Sequence, residues 1–366
     1  NTQGIGRVFR NALAANVSVA VLLTAVMYTV YCFVDKLGQP EELLPHIRPY
    51  FVLQLISLLF IMLFNGFRQF AEGLTDTRTP MWILLGGNAL NIFGNYLLIY
   101  GSFGLPEWGL FGAGVSTLVS RIVMLLVFIG VVAVARRYKV YREAILRSRF
   151  NRNDFMQLNA LGWPIALQMG METAAFSLSA IMVGWLGSIP LAAHQIMISV
   201  STIGFMVYYG MGAALAVRVS HFMGQKDFSN LRRAVNSGMG IILSLAIVAS
   251  LFFYLARTPI IYSFTEDHEV MVVVSSLIFS LIVYQFGDAL QITFANALRG
   301  TTDVKPMMWI AFFSYFIVAL PVGYLCGFTW GGGVVGVWVA FPAGLFTAGF
   351  LFWLRFRYRL QQLMKK

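Results

Sequence analysis

The stretch Tyr284–Ile310, YQFGDALQITFANALRGTTDVKPMMWI, begins inside a long apolar run and ends in a short polar turn. Asp288 stands within it, with no other charged residue between Glu269 and Arg299. A carboxylate near the middle of a bilayer-length helix costs about 2.5–3.5 kcal/mol on insertion scales, so such residues face a cavity, a partner or an ion. Tyr284 lies four residues before Asp288 and Gln291 three after, which puts all three on one helical face. The polar turn Gly300–Ile310 has a twin elsewhere in the chain, and the twin sets the architecture.

The chain of 366 residues is 58% hydrophobic and 11% charged. Soluble domains carry about 25% charged residues, so this composition is that of a polytopic membrane protein. Ten segments are apolar and long enough to span, since about 20 residues cross the hydrocarbon core. They fall near 11–34, 50–73, 80–103, 109–135, 156–184, 190–220, 233–256, 270–297, 306–328 and 333–355. The net charge of +11 belongs to the joints between them and needs no nucleic acid. With the basic joint 136–152 on the cytoplasmic side, alternate joints follow it. All Lys and Arg then lie on that side except Lys36, Arg48, Arg257 and the intrahelical Arg121. The positive-inside rule is met, both ends of the chain read as cytoplasmic, and Arg299 counts among the cytoplasmic joint residues.

The twin of the opening stretch is Gly73–Ile83, GLTDTRTPMWI, which aligns without gaps on Gly300–Ile310, GTTDVKPMMWI. The offset is 227 residues, and six of eleven positions are identical. A second match, Gly109–Gly112 on Gly333–Gly336, has an offset of 224. Six helices separate the copies, and an even number makes the repeats parallel about an axis along the membrane normal. The fold class is therefore all-α: a membrane helix bundle of two lobes. Residues 1–135 read as a four-helix N-terminal lobe, 136–155 as a basic cytoplasmic linker, and 156–366 as a six-helix C-terminal lobe with a basic tail. About two helices of the second lobe find no counterpart in the first. An intact protein of twelve helices is expected, with an exposed apolar groove along 11–34 and 50–73 where the missing pair would pack.

Two intramembrane acids stand out, Glu172 and Asp288, and intramembrane acids default to function. Gln168 lies one turn before Glu172. Two carboxylates and the Tyr284 phenol suit either a proton or a hard cation with oxygen ligands. Asn91 and Asn95 share a face in the first lobe and read equally as helix–helix glue or as cavity residues. His194 reads as packing. Cys32 and Cys326 sit in separate apolar segments as buried thiols. No GxxxxGK[ST] motif occurs, so the chain carries no phosphate-binding loop for ATP.

The paired turns GLTDTRTPM and RGTTDVKPM, with NIFGNYLLIYG at 91–101, GLFGAGVSTLVSR at 109–121 and LAAHQI at 191–196, resemble the multidrug and toxic compound extrusion (MATE) family, nearest its NorM-type branch. The resemblance covers the chain and corresponds to helices three to twelve of that family. It implies a secondary antiporter of the inner membrane, not an enzyme, that exports amphipathic, often cationic drugs in exchange for Na+ or H+ and uses no other cofactor. It implies a coupling site of Glu172, Tyr284 and Asp288, with Na+ as a candidate ligand of Glu172 and Asp288. Gln168, Gln291, Asn91 and Asn95 are then candidates for the substrate cavity. The expected partners are small molecules and membrane lipid, and the expected state is a monomer. The alternatives are a lipid-linked precursor flippase of the same superfamily, which needs cations in its cavity, and an integral-membrane enzyme, which needs clustered catalytic groups.

Overall fold

The computed structural model describes residues 2–33, 44–104 and 106–365. Among these, ten helices are long and apolar enough to cross a membrane. They are α1 (Thr2–Cys32), α2 (Leu44–Gly73), α3 (Arg78–Tyr100), α4 (Gly109–Val134), α6 (Arg152–Gly184), α7 (Ser188–Gln225), α8 (Phe228–Leu255), α10 (His268–Gly300), α11 (Lys305–Thr329) and α12 (Gly333–Met364). Two short helices, α5 (Lys139–Arg147) and α9 (Arg257–Phe264), complete the chain. No strand occurs among the described residues. The fold is the all-α membrane bundle that composition and periodicity predict.

The chain forms two compact units, Asn1–Ala160 and Leu161–Lys366, with the boundary inside α6. In the first unit α2 packs on α1 and α4, and α3 packs on α4. In the second, α10 packs on α8 and α12. The pairings match those expected from the repeat, with α10 in the role of α2 and α12 in that of α4. The second unit adds α6 and α7, and α7 lies along α10 and α8. Along α1 the side chains of Val21, Leu22, Val26 and Tyr28 are exposed, and so are Val52, Ile56 and Leu59 on α2.

The segment 136–155, expected as a linker, clusters with the first unit. A single 3-10 turn at Arg136–Tyr138 leads into α5, which packs on α1. Tyr138, Tyr141 and Ile145 recur at helical spacing and join the aromatic core of Phe9, Phe64, Phe70 and Phe128. The apolar stripe explains the docking: burying it outweighs keeping so basic a segment in free solution.

The repeat extends to the backbone. Thr75 and Thr302 both take a left-handed conformation, φ 64° and φ 58°, rare for a β-branched residue. At both places the turn closes on the helix it leaves. Asp76 N–H donates to Ala71 O at 2.9 Å and Asp303 N–H to Leu298 O at 3.0 Å. The second repeat match behaves alike. Gly109 and Gly333 have φ 51° and φ 54°. A Cβ at Gly112 or at Gly336 would collide with the carbonyl of Leu98 or Cys326 in the preceding helix.

Each turn is fastened by its aspartate, through different chemistry. Asp76 accepts from the Thr79 hydroxyl at 2.7 Å and the Tyr138 hydroxyl at 2.5 Å, and pairs with Arg137 at 3.0 Å. Asp303 takes both arms of Arg355, at 2.7 and 3.0 Å. A bidentate guanidinium is the stronger single partner. Burial pushes the Asp76 carboxyl up, but the bonds from Tyr138 and Thr79 and the Arg137 charge outweigh it and hold it below its ordinary range. Burial and the bond to Asp76 push the Tyr138 phenol up to about 12.

Asp76→Asn is expected to cost about 1–3 kcal/mol at neutral pH, read as a lower unfolding temperature in detergent. A depressed folded-state carboxyl stabilises fully above its unfolded pKa and loses that contribution as pH falls through the folded value. The gap between wild type and variant should therefore hold from neutral pH to about pH 5 and close in stronger acid. A gap independent of pH would remove the ionic clasp from the account.

Candidate functional site

The second unit holds a cavity of about 280 Å³ lined by α6, α7 and α10. From α6 come Gln168 and Glu172, one turn apart, on a helix that carries Pro164 without breaking. From α10 come Tyr284, Gln291, Ala295 and Arg299, whose spacing of seven, four and four residues makes one stripe. From α7 come Ser201, Thr202, Phe205 and Tyr209. Phe176 closes on Tyr284 edge-on at 6.3 Å and stacks on Phe341 at 4.7 Å.

One carboxylate oxygen organises the polar wall. Glu172 Oε2 accepts from Gln168 Nε2 at 3.0 Å and from Gln291 Nε2 at 3.1 Å. Gln291 also donates to the Tyr315 hydroxyl at 3.3 Å. Tyr315 sits in a widened π-helical stretch of α11, Phe313–Ala319, a local form frequent at functional sites. On the other side, Arg299 Nη2 donates to Gln168 Oε1 at 2.8 Å. The chain of contacts Arg299–Gln168–Glu172–Gln291–Tyr315 joins α6, α10 and α11.

Of the residues singled out from the sequence, Glu172, Tyr284, Gln168 and Gln291 line this cavity. Asp288 does not. It is 1% exposed, and neither of its carboxylate oxygens has a hydrogen-bond partner among the described residues. The helical face is right, but the aspartate side chain is short, and the longer Tyr284 and Gln291 on either side reach the cavity in its place. Glu172 lines the cavity, and Asp288 lies behind its wall on the same helix as Tyr284 and Gln291.

Asn91 and Asn95 belong to the other unit and tie α3 to α4. Asn91 Nδ2 reaches Ser116 at 3.4 Å and Thr117 at 3.3 Å, its carbonyl accepts from the Ser116 hydroxyl at 2.9 Å, and Asn95 donates to Asn91 at 3.3 Å. Arg121 bonds to Ser57 and, at 3.4 Å, to Gln54, both on α2. His194 accepts from Trp338 Nε1 at 3.1 Å and stacks on Phe341, a packing role. Among the described residues no cluster of His, Cys, Asp and Glu is arranged to hold a metal.

Sequence reasoning missed Arg299, Tyr315 and Tyr209. The sequence reading counts Arg299 among the joint residues, and the structure places it in the last turn of α10, which runs to Gly300. The guanidinium thus stays on the cavity stripe, eight residues from Gln291, and that spacing was the available signal. Tyr315 offered none, because its approach depends on the π turn.

A strandless bundle of membrane-crossing helices, with a repeated half and a polar cavity walled by three helices, is the architecture of a membrane carrier. The MatE family model matches residues 1–97 and 164–325. The multidrug resistance protein PmpM of Pseudomonas aeruginosa is 34% identical, over 96% of this chain and 75% of its own length. A probable multidrug resistance protein NorM of Photorhabdus laumondii is 28% identical, over 100% of this chain and 81% of its own length. A solved multidrug resistance MATE transporter of the MOP superfamily, in an outward-facing conformation, superposes with a TM-score of 0.85 over 100% of this chain and 85% of that chain, at 18% identity. The chain belongs to the multidrug and toxic compound extrusion family, whose members are transporters.

Gln168 and Gln291 donate to the same oxygen, so their contributions should not add. Gln168→Leu and Gln291→Leu are each expected to lower stability by about 1–3 kcal/mol, by leaving buried groups unpaired. The double variant should depart from additivity by about 0.5–3 kcal/mol. Thermal unfolding of the four proteins measures it, and simple additivity would break the shared-acceptor geometry.

Proposed function

We propose that the protein is a cation-coupled secondary antiporter that exports amphipathic, often cationic compounds, with the cavity of the second unit as its binding site. The supporting observation is Glu172, an acid in an apolar bundle that faces a cavity and is held by two glutamine donors. An intramembrane acid so placed acts on an ion or a cationic ligand. The relatives named for multidrug resistance support the substrate class.

The coupling site in this reading is Glu172, Tyr284 and Asp288. Asp288 takes up the ion behind the cavity wall, because a buried carboxyl without donors holds a proton or a cation. An all-oxygen setting favours a hard cation, so sodium is the ion assigned here. Differential affinity for the ion between two states of the carrier then drives alternating access. The protein sits as a monomer in the inner membrane, among its lipids, with both ends cytoplasmic, as the distribution of Lys and Arg supports. A flippase for phosphate-linked lipids would need several cations in the cavity. Among the described residues Arg299 is the one basic side chain lining it, which favours the antiporter.

Proteoliposomes decide between these statements. Sodium-driven export of ethidium is expected from the wild type and a loss of about tenfold or more from Glu172→Gln and Asp288→Asn, since each removes a charge the ion requires. Unchanged export by Asp288→Asn would make Asp288 structural and sink the coupling site. Export on a proton gradient without sodium would replace the ion and keep the site.

A further inference from the structure

Arg299 is the charged group in the cavity that ion coupling leaves unused. Its guanidinium makes one hydrogen bond to another side chain, from Nη2 to Gln168. Its Nε is buried and has no partner, and no carboxylate forms a salt bridge with it among the described residues. Asp303 is taken by both arms of Arg355, and Glu172 is joined to Arg299 through Gln168 without a direct ion pair. A basic residue in the last turn of a helix commonly caps that helix's carbonyls. Arg299 turns across to α6 instead. A guanidinium with free donors on a partly apolar wall is a receptor for a planar anion, carboxylate above all.

The opposite charge stands close by. Gln168 bridges the two groups, donating to Glu172 and accepting from Arg299, so guanidinium and carboxylate lie within about 8 Å, two hydrogen bonds and one amide apart. The space they share is walled by Phe176, Phe205, Ile198 and Met169. The geometry points to a two-charge subsite: Glu172 receives the ammonium of a ligand and Arg299 receives its carboxylate, so the cavity prefers aromatic amino acids of the spaced, zwitterionic kind over cations of the same shape. Arg299 is then the specificity-determining residue, and the inference rests on the cavity being the substrate site. A purely cationic ligand meets Arg299 as a like charge, which weakens it; a carboxylate turns the same group into a donor pair.

The probes are para-aminomethylbenzoate and its methyl ester, which differ only in whether the anion is present. Binding is measured by saturation-transfer NMR on the protein in lipid nanodiscs. The wild type is expected to bind the carboxylate about tenfold tighter than the ester, the worth of one charge-assisted bond. Arg299→Gln should remove that preference, by weakening the carboxylate and leaving the ester unchanged or tighter. Arg299→Lys, which keeps the charge on a smaller head, should restore part of it and guards against a loss caused by misfolding. Glu172→Gln should weaken both probes. Equal binding of the two probes by the wild type, or an equal effect of Arg299→Gln on both, overturns the anion subsite while the cavity reading stands. Binding of the ester that ignores Glu172→Gln, or binding of neither probe, overturns the cavity reading and this inference with it.

Discussion

A charged carboxylate inside an apolar helix bundle needs donors, and at Glu172 the donors meet at one oxygen, whereas Asp288 has none among the described residues. Glu172 Oε2 draws Gln168 from its own helix and Gln291 from α10 to the same point. Gln168 in turn holds Arg299, and Gln291 holds Tyr315 of α11. Water could satisfy the same groups separately in a soluble protein. In hydrocarbon each unmet group is costly, so the partners must come from neighbouring helices. The polar chain therefore does two things together: it fixes how α6 meets α10, and it aims the cavity's charges.

The turns after α2 and α10 show a second way of meeting a cost. A threonine in the left-handed region is unfavourable by about 1–2 kcal/mol. Both turns carry one, at Thr75 and Thr302. In each, the next residue is an aspartate bound by arginine from a later part of the same unit. The strained backbone is thus held by a tertiary contact and not by its own residue preference. Arg137 needs Tyr138 and Thr79 beside it, whereas Arg355 alone covers both oxygens of Asp303. Two solutions at one backbone geometry indicate that the turn, not the particular clasp, is what the architecture requires.

Much of this could be read from the residues. Long apolar runs gave ten membrane-crossing helices, and the offset of 227 residues found two turns with the same backbone. Glu172, Gln168 and Gln291 were legible because burial of charge is so costly in a membrane that few residues need be considered. Three things were not. Arg299 lies where hydropathy drops, so it resembled a joint; the drop does not coincide with the end of the hydrogen-bonded helix. Asp288 has the right heading, but side-chain length decides which of several residues on one face reaches a cavity. The segment 136–155 is strongly basic, and its charge hid the stripe of Tyr138, Tyr141 and Ile145 that docks it on the first unit.

The repeat is symmetric in backbone and asymmetric in chemistry, and the asymmetry follows the cavity. At an offset of 227, Tyr284, Asp288 and Gln291 correspond to Ser57, Ile61 and Phe64 of α2. Where α10 carries a phenol, an acid and an amide, α2 carries one small hydroxyl and two apolar side chains. Phe64 is fully buried in the aromatic core of its unit, so the position of the cavity amide Gln291 has there become core. The reverse substitution occurs on the partner helix. Arg121 of α4 corresponds, at an offset of 224, to Leu345 of α12, which is buried beside Gly287 of α10. Arg121 instead finds Ser57 and Gln54. One repeated pairing of helices thus holds a cation against neutral donors and acceptors in the first unit and an acid-bearing helix against leucine in the second. The scaffold constrains where two helices touch; it leaves the sign of the charge at that contact free. That freedom allows one half of a repeated fold to carry an acid beside a polar cavity while the other keeps the same helices and buries apolar side chains at equivalent positions.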